Sequence, residues 1–555
     1  MTWGGVRRWS LIGLVALACG GDDGSPVDGG VDSFVDASDP PDEGPRDGGI
    51  LPDAPPIECD PDPAVQFVEV GSAAGLSGVL AREMGECDDA LVGGGALVLD
   101  IDGDGLDDLF YPQPQGRDRL FRNRGDGTFE DVAPELGLDH DGPSAAAVFF
   151  DLEGDGDSDL YVTMGGRASN RLYVRGPDGF TEEAAAWGLD LPPFSPFLCS
   201  YQLGVAAGDA DGDGDLDLMI ASWEPFEGPA SDRTRLMINQ GGVFTDGTEA
   251  AGIDPNGRAG FSPAFADVNG DGVMDIAIAA DWGRSRLYLG NGDGTFRDVT
   301  ETAGVGTDEN GMGSVLEDLD QDGDLDWFVT SIFNDVSCDE LIGECTGNRL
   351  YLGEGDGTFV DGTDAFGVRD GGWGWGAIAI DFDHDGDLDL LHENGQGLVG
   401  AYWDDPLRLF RNDGEMRFRE IACAYGLAFP GADKGLVPFD LEGDGDLDLF
   451  VARSFADPLL FRNDGADTRA WLRVRLQQSG ANPSGVGATI TIDAGGSLQT
   501  RRIHLNPGYG SPAAPEAHFG LGDHEGPVDV QVRWPDGSEQ TVVDVGVRQR
   551  LLIER

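Results

Sequence analysis

Seven acidic loops of ten residues share one arrangement of oxygen-bearing side chains. A carboxylate or amide stands at loop positions 1, 3 and 5, glycine at position 6 and aspartate at position 9. Alternating oxygen ligands around a glycine turn suit a hard, flexible cation such as Ca²⁺. In chain order, loops 1 to 7 are DIDGDGLDDL from Asp100, DLEGDGDSDL from Asp151, DADGDGDLDL from Asp209, DVNGDGVMDI from Asp267, DLDQDGDLDW from Asp318, DFDHDGDLDL from Asp381 and DLEGDGDLDL from Asp440.

These loops predict up to seven bound Ca²⁺ ions. The ligands would be the side chains at positions 1, 3, 5 and 9 and the backbone carbonyl at position 7, where the residue type varies. In loop order, the predicted ligands are Asp100, Asp102, Asp104, Leu106 and Asp108; Asp151, Glu153, Asp155, Asp157 and Asp159; Asp209, Asp211, Asp213, Asp215 and Asp217; Asp267, Asn269, Asp271, Val273 and Asp275; Asp318, Asp320, Asp322, Asp324 and Asp326; Asp381, Asp383, Asp385, Asp387 and Asp389; and Asp440, Glu442, Asp444, Asp446 and Asp448.

Two other interpretations of the loops were weighed. An EF-hand loop closes with a bidentate Glu at position 12 and continues into a helix, whereas short β-prone runs such as LFYP and LYVT follow these loops. Aspartate and glycine are also good turn formers without any metal. Seven loops in the same register favour the metal role over this simpler alternative.

Each acidic loop belongs to a longer repeat of four short strands. An apolar run precedes the loop, a second run follows it, and a segment such as RLYLG comes next. A turn and a final strand, written GDGTFRDV at 292–299, complete the unit. Radial repetition of four-stranded units of this size is typical of a β-propeller.

The repeat resembles the FG-GAP/VCBS family, because it combines the DxDGDGxxD loop with RLYxNxGDGTFxDVT over residues 65–466. From Trp471 the chain, with HLNPGYGSPAAPEAHFGLGD in its middle, is similar to the ASPIC/UnbV domain of the cartilage acidic protein-like family. The resemblance implies an all-β fold. We expect a seven-bladed β-propeller with Ca²⁺-binding loops, followed by a small C-terminal β-sandwich.

The two ends of the repeat region predict how the ring closes. The segment from Phe67 to Val70 resembles a fourth strand, but no acidic loop accompanies it. The seventh unit has a Leu460-Phe-Arg-Asn strand and no GDGTF strand after it. The first segment should therefore complete the last blade and leave no open sheet edge.

The N-terminal residues read as an export signal. Arg7 and Arg8 precede an apolar stretch too short to span a bilayer, which ends Leu-Ala-Cys-Gly at Cys19. This motif resembles the lipobox of bacterial lipoproteins and predicts lipidation of Cys19; an ordinary signal peptide or a twin-arginine signal are the alternatives. The predicted segments are a signal peptide at 1–19, a disordered acidic tether at 20–63, the propeller at 64–468 and the β-domain at 469–555.

Cysteines and tryptophans supply the remaining candidate sites. In an exported protein, Cys338 and Cys345 lie close enough in sequence to form a disulfide, whereas Cys59, Cys87, Cys199 and Cys423 have no assignable pairing. Trp373 and Trp375 stand between glycines where an innermost strand should begin. They could form an aromatic ligand-binding platform, or they could pack in the core between blades.

The net charge of −68 excludes nucleic acid as an expected partner, because phosphate binding needs clustered Lys and Arg. For the same reason we expect contact with a membrane only through the lipid anchor.

No catalytic motif stands out. The expected function is that of a calcium-stabilised, non-enzymatic binding or adhesion protein at the bacterial cell envelope, with a protein or glycan ligand. The alternative is an extracellular carbohydrate-active lyase or hydrolase built on a propeller.

Overall fold

The computed structural model describes residues 66–76, 87, 93–192, 199–223, 233–254, 259–333, 345–396, 405–414, 416–454, 456–465, 468–506 and 508–555. Within these residues the chain is almost entirely β-structure with five short helices, which confirms the all-β prediction. None of the described helices is long and apolar enough to cross a membrane.

Seven antiparallel units of four strands account for the described residues up to 465. In units 1 to 3 the strands are β2 (Leu97–Leu99), β3 (Asp108–Tyr111), β4 (Arg119–Asn123) and β5 (Phe129–Asp131); β6 (Ser144–Phe150), β7 (Asp159–Gly166), β8 (Arg171–Gly176) and β9 (Gly179–Glu182); and β10 (Ser200–Gly208), β11 (Asp217–Trp223), β12 (Arg235–Asn239) and β13 (Phe244–Asp246). In units 4 and 5 they are β14 (Gly260–Ala266), β15 (Asp275–Ala280), β16 (Arg286–Gly290) and β17 (Phe296–Asp298); and β18 (Ser314–Glu317), β19 (Asp326–Val329), β20 (Arg349–Gly353) and β21 (Phe359–Asp361). In units 6 and 7 they are β22 (Gly374–Ile380), β23 (Asp389–Asn394), β24 (Arg408–Asn412) and β25 (Phe418–Glu420); and β26 (Asp433–Phe439), β27 (Asp448–Arg453), β28 (Leu459–Asn463) and β1 (Phe67–Glu69).

The units form a ring, because the first strand of each unit contacts the first strand of the next. These contacts run from β2 through β6, β10, β14, β18, β22 and β26 and return to β2. A separate apolar cluster fills each boundary between neighbouring units; Ala146, Leu218 and Met237, for example, pack between units 2 and 3. A unit therefore buries its apolar faces only by contacting both neighbours. We interpret the ring as a β-propeller with its first strands around the axis.

Strand β1 closes the ring as the sequence predicts. It pairs antiparallel with β28, with Phe67 opposite Asn463 and Glu69 opposite Phe461. The Phe67 side chain is buried and packs against Phe382 of unit 6. The first described segment of the chain thus supplies the fourth strand of the last unit.

Short helices follow five of the fourth strands. Each ends at a glycine in the left-handed region, such as Gly304 with φ of 81°, a conformation that glycine adopts without strain. The helix after β1 is of the same kind, which agrees with the role of β1 as a fourth strand. The helices are α1 (Gly71–Ala74), α2 (Ala133–Leu136), α3 (Ala184–Trp187), α4 (Thr300–Ala303) and α5 (Thr363–Phe366).

The C-terminal domain consists of two sheets over one core. The three-stranded sheet has the order β32-β29-β35 and the four-stranded sheet the order β31-β30-β33-β34. Alternation of buried and exposed residues, as in VDVQVR of β33, turns one face of each sheet inward. The strands are β29 (Ala470–Gln477), β30 (Thr489–Asp493), β31 (Leu498–Arg502), β32 (Glu516–Gly522), β33 (Val528–Arg533), β34 (Glu539–Val545) and β35 (Gln549–Glu554).

One segment of this domain, residues 504–514, enters the axis of the ring; we call it the plug. The Asn506 side chain exchanges two hydrogen bonds with the backbone of Phe265, at 2.9 and 3.1 Å. The Tyr509 ring is buried against Trp375, with 5.4 Å between ring centroids. The Gly510 backbone approaches Gly95 so closely that a Cβ at Gly95 would overlap the Gly510 carbonyl oxygen. The plug therefore fills the axis and contacts first strands around the ring.

Removing β1 should open the ring. Deletion of residues 20–76 removes the strand and the buried Phe67, whose loss alone is worth about 3 kcal/mol. We expect a lower melting temperature by scanning calorimetry, and aggregation detected by light scattering, because the free edge of β28 becomes a template for strand pairing.

Deletion of residues 20–62 is the matched control, since it leaves β1 in place and removes a stretch with little apolar sequence. Equal melting temperatures for the two truncated proteins would show that the ring does not depend on β1.

Candidate metal loops

Each acidic loop connects the first and second strands of its unit. The position-9 aspartate begins the second strand and binds two backbone amides. In loop 3, Asp217 accepts hydrogen bonds from the N–H of Ala210 at 2.8 Å and from the N–H of Asn239 at 2.7 Å. Asp217 begins the second strand and Asn239 ends the third, so this carboxylate links the loop to both of these strands. The same pair of bonds recurs in the other six loops.

Positions 1 and 5 shape the turn itself. The Asp209 carboxylate accepts hydrogen bonds from the amides of Gly212 and Gly214, at 2.8 and 3.0 Å. Asp213 at position 5 accepts from the amide of position 7 at 2.9 Å. The position-7 residues Leu106 and Val273 make the same amide contact in their own loops. That their carbonyls bind metal remains a prediction.

In five loops the carboxylates converge as a metal site requires. One oxygen from each of three residues lies within 4.8 Å of the others, a separation that lets them share one cation. Positions 1, 3 and 9 converge in loops 1 to 3, and positions 1, 3 and 5 in loops 5 and 6. The converging sets are Asp100, Asp102 and Asp108; Asp151, Glu153 and Asp159; Asp209, Asp211 and Asp217; Asp318, Asp320 and Asp322; and Asp381, Asp383 and Asp385.

Loops 4 and 7 differ from this arrangement. In loop 4 the side chain of Asn269 at position 3 donates to Asp271 Oδ2 at 3.1 Å, so an amide takes the place of one carboxylate. In loop 7 no three carboxylates converge among the described residues; Arg473 Nη1 lies 3.0 Å from Asp440 Oδ2, and Arg462 Nε lies 3.6 Å from Glu442 Oε1. Arginine contacts alone do not distinguish loop 7, since Arg411 Nη2 lies 2.8 Å from Asp383 Oδ2 in the converging loop 6.

Burial makes the position-9 carboxylates harder to ionise. It raises the pKa of Asp217 to about 8 and that of Asp108 to about 7, even though both accept backbone hydrogen bonds. A buried carboxylate stays ionised at neutral pH only if a positive charge compensates the lost hydration. The oxygen-only donor set, the glycine turn and this electrostatic need all fit Ca²⁺.

The two candidate platform tryptophans are buried. Trp373 and Trp375 are 5% and 3% exposed, and their rings stack with centroids 6.5 Å apart. The Trp375 Nε1 donates to the carbonyl of Gly395 at 2.8 Å. Both rings belong to an aromatic cluster at the end of the axis opposite the acidic loops, together with Phe261 and Tyr509. A ligand could reach them only if this cluster opened.

Sequence analysis missed a polar group beside that cluster. Lys434 Nζ lies 3.9 Å from the centre of the Trp375 ring and donates to the carbonyls of Gly395 and Asp433. Burial lowers the pKa of Lys434 to about 7, and burial raises the pKa of the nearby Glu393. The available signal was that Lys434 is the sole lysine of the chain.

One disulfide is fully described. Cys87 and Cys199 are bonded with a Cα–Cα distance of 5.5 Å, a pairing that the sequence left open. Cys345 and Cys423 each take part in a disulfide as well. Cys338, the predicted partner of Cys345, lies outside the described residues, as do Cys19 and Cys59.

Curated relatives share most of this chain. Cartilage acidic protein 1 of Mus musculus is 28% identical over 471 residues, which cover 80% of this chain and 61% of the mouse protein. The Homo sapiens protein of the same name is 28% identical over 417 residues, or 60% of each chain. This chain therefore spans about three fifths of the length of these relatives.

Solved structures show a more distant likeness. A Bacillus licheniformis rhamnogalacturonan lyase matches 67% of this chain and 71% of its own at 16% identity, with a TM-score of 0.37. The V. cholerae biofilm matrix protein Bap1 matches 61% of this chain and 58% of its own at 13% identity, with a TM-score of 0.27. At these scores the likeness says nothing about activity.

Family models account for the repeat and for the C-terminal domain. The FG-GAP-like repeat matches residues 100–162, 151–220, 209–278, 274–329 and 334–392, and the "ASPIC and UnbV" model matches residues 478–555. The repeat matches together span more than half of the chain and contain six of the seven acidic loops. The chain therefore belongs to the FG-GAP-like repeat family and carries a C-terminal ASPIC/UnbV domain.

Proposed function

We propose that this protein is a calcium-stabilised binding or adhesion protein of the cell surface, without enzymatic activity, whose ligand is a protein or a glycan. The observation that carries the proposal is the convergence of carboxylates in five equivalent loops. The loops occupy the same place in every unit, as structural elements do, whereas a catalytic site is formed once.

Calcium would act on the fold through the residues already described. In a converging loop, positions 1, 3, 5 and 9 would hold the ion with the position-7 carbonyl. The ion would supply the positive charge that the buried carboxylates lack and would hold the loop between the first two strands. Because the position-9 aspartate also binds the end of the third strand, each site would stiffen most of its unit.

The plug supports a ligand site on the outside of the ring. Tyr509 is 2% exposed and packs within the aromatic cluster at the axis. The C-terminal domain covers the loops on that side, with its arginines against their carboxylates. A protein or glycan ligand would then meet the blade edges or the opposite face of the ring.

A carbohydrate-active enzyme is the second candidate, and one observation favours it. Lys434 and Glu393 are buried beside Trp375 and Tyr509, and burial lowers the pKa of Lys434 while it raises the pKa of Glu393. Groups of this kind are common in active sites, although structural ion pairs produce them as well.

Immobilised protein tested against a panel of acidic and neutral polysaccharides distinguishes the two functions. We expect retention of a ligand, or capture of a surface protein, without release of shorter or unsaturated sugars. Cleavage that Lys434→Met abolishes, while the folded state persists by circular dichroism, would establish the enzyme instead.

Calcium removal should lower the stability of the protein strongly. With a Kd of about 0.1 mM per site and about 1 mM free Ca²⁺, each site contributes roughly 1.4 kcal/mol, and five sites roughly 7 kcal/mol. Scanning calorimetry in calcium and in excess EDTA should therefore give well-separated melting temperatures. Magnesium at the same concentration is the control for ionic strength, and coincident transitions in calcium and EDTA would rule out the stabilising role.

The same proposal includes anchoring through Cys19, on the strength of the Leu-Ala-Cys-Gly motif. Cys19→Ser should move the protein from the membrane fraction to the soluble fraction of the exporting cell. Cys59→Ser is the matched control and should leave the distribution unchanged. Retention of the Cys19→Ser protein in the membrane fraction would mean that the anchor lies elsewhere.

A further inference from the structure

Loops 2 and 7 have the same acidic residues but different geometry. Both carry Asp, Glu, Asp, Asp and Asp at positions 1, 3, 5, 7 and 9, starting at Asp151 and at Asp440. In loop 2 the carboxylates of Asp151, Glu153 and Asp159 converge, whereas among the described residues loop 7 forms no such cluster. The difference must therefore come from what surrounds loop 7.

A guanidinium group from the C-terminal domain occupies the acidic side of loop 7. Arg473 on β29 places Nη1 3.0 Å from Asp440 Oδ2, and Nη2 2.8 Å from Asp107 Oδ2 and 2.9 Å from Glu516 Oε2. The Arg473 side chain is 7% exposed, and its three acidic partners are 2 to 4% exposed. Arg473 thus compensates buried carboxylates, as a bound cation would do in the other loops.

Loop 2 has no equivalent cation among the described residues. At Gly154 of loop 2, the nearest atoms of the C-terminal domain are backbone atoms of Gly480 and Ala481. A second positive ion placed beside Arg473 would be repelled in this poorly solvated site, whereas loop 2 presents no such barrier. Two loops with one ligand pattern therefore differ in the cation available to them.

The arginine also lies across the seam of the ring. Asp107 belongs to unit 1 and Asp440 to unit 7, the units at which the repeat begins and ends. The two are joined directly by the amide of Asp440, which donates to Asp107 Oδ2 at 3.2 Å. Arg550 adds a second bridge, with Nη2 2.9 Å from Asp107 Oδ1 and 2.6 Å from Glu516 Oε2.

We propose that Arg473 takes the place of the metal ion in loop 7, so that the C-terminal domain closes the seam between the first and last units without calcium. The inference rests on the proposed calcium binding of the other loops. It assigns loop 7 to domain docking and limits the metal sites to the remaining loops. The predicted number of up to seven ions would then fall to at most six.

Matched substitutions at one position of loops 2 and 7 test the assignment. Glu153→Gln and Glu442→Gln change exposed residues of equal type, so neither should prevent folding. We expect Glu153→Gln to weaken one calcium site at least tenfold and Glu442→Gln to leave every site unchanged, measured on the full chain by equilibrium dialysis and metal analysis. Equal losses in both variants would overturn the inference and leave the proposed function standing. Absence of bound calcium in the unaltered protein would overturn the proposed function itself.

Arg473→Met tests the seam directly. We expect this variant to melt at a lower temperature than the unaltered protein in excess EDTA, where the metal loops contribute nothing. In millimolar calcium it should bind one additional ion, because loop 7 is released. Arg548→Met, at an arginine of the same domain that is 36% exposed and pairs with Glu525 instead of a loop carboxylate, is the control and should change neither quantity. Unchanged melting of Arg473→Met in EDTA, or an unchanged calcium count, would contradict the proposal.

Discussion

Closure of the ring is the constraint on which the rest of this structure depends. Each four-stranded unit has apolar residues on both faces and buries them only against its two neighbours, so no unit can remain at an end. Two sets of contacts close the ring where the first and last units meet. Strand β1 completes the last unit by pairing with β28, and Arg473 of the C-terminal domain contacts both Asp107 of the first unit and Asp440 of the last.

Electrostatics explain why the C-terminal domain lies where it does. A chain with a net charge of −68 concentrates carboxylates in loops that all face one side of the ring. The domain that covers this side presents Arg473, Arg475 and Arg502 to it, and Arg502 reaches the backbone carbonyl of Asp267 in loop 4. The mutual repulsion of the loops is thereby reduced by protein charge as well as by any bound cation. Docking of the domain therefore involves the same loop carboxylates that are predicted to bind cations.

The all-β class, the repeat and the presence of a C-terminal ASPIC/UnbV domain could be predicted because their signals are local. A strand, its acidic loop and the next strand lie within about twenty residues, and the β1 prediction needed only a comparison of one fourth strand with the others.

Contacts that depend on the tertiary structure could not be predicted in this way. The position-9 aspartates were predicted as metal ligands, and the structure adds that each accepts hydrogen bonds from one amide of its own loop and one amide of the third strand, a partner set that depends on the pairing of the third strand. Trp373 and Trp375 were weighed as a platform or as core, and their burial by Phe261 and Tyr509 arises from contacts across the ring.

By itself the sequence determined the composition of each unit, the acidic positions of each loop and the strand that closes the ring, since neighbouring residues and internal repetition encode them. Only the tertiary structure decided which loops bring their carboxylates together and which carboxylates meet an arginine of the C-terminal domain. Loops 2 and 7 show why. Their acidic residues are identical, and they differ in a partner that reaches Asp440 from Arg473, on a separate domain. With 103 acidic residues available, no local pattern can state which carboxylate a given arginine will meet, because the folded chain alone sets that distance.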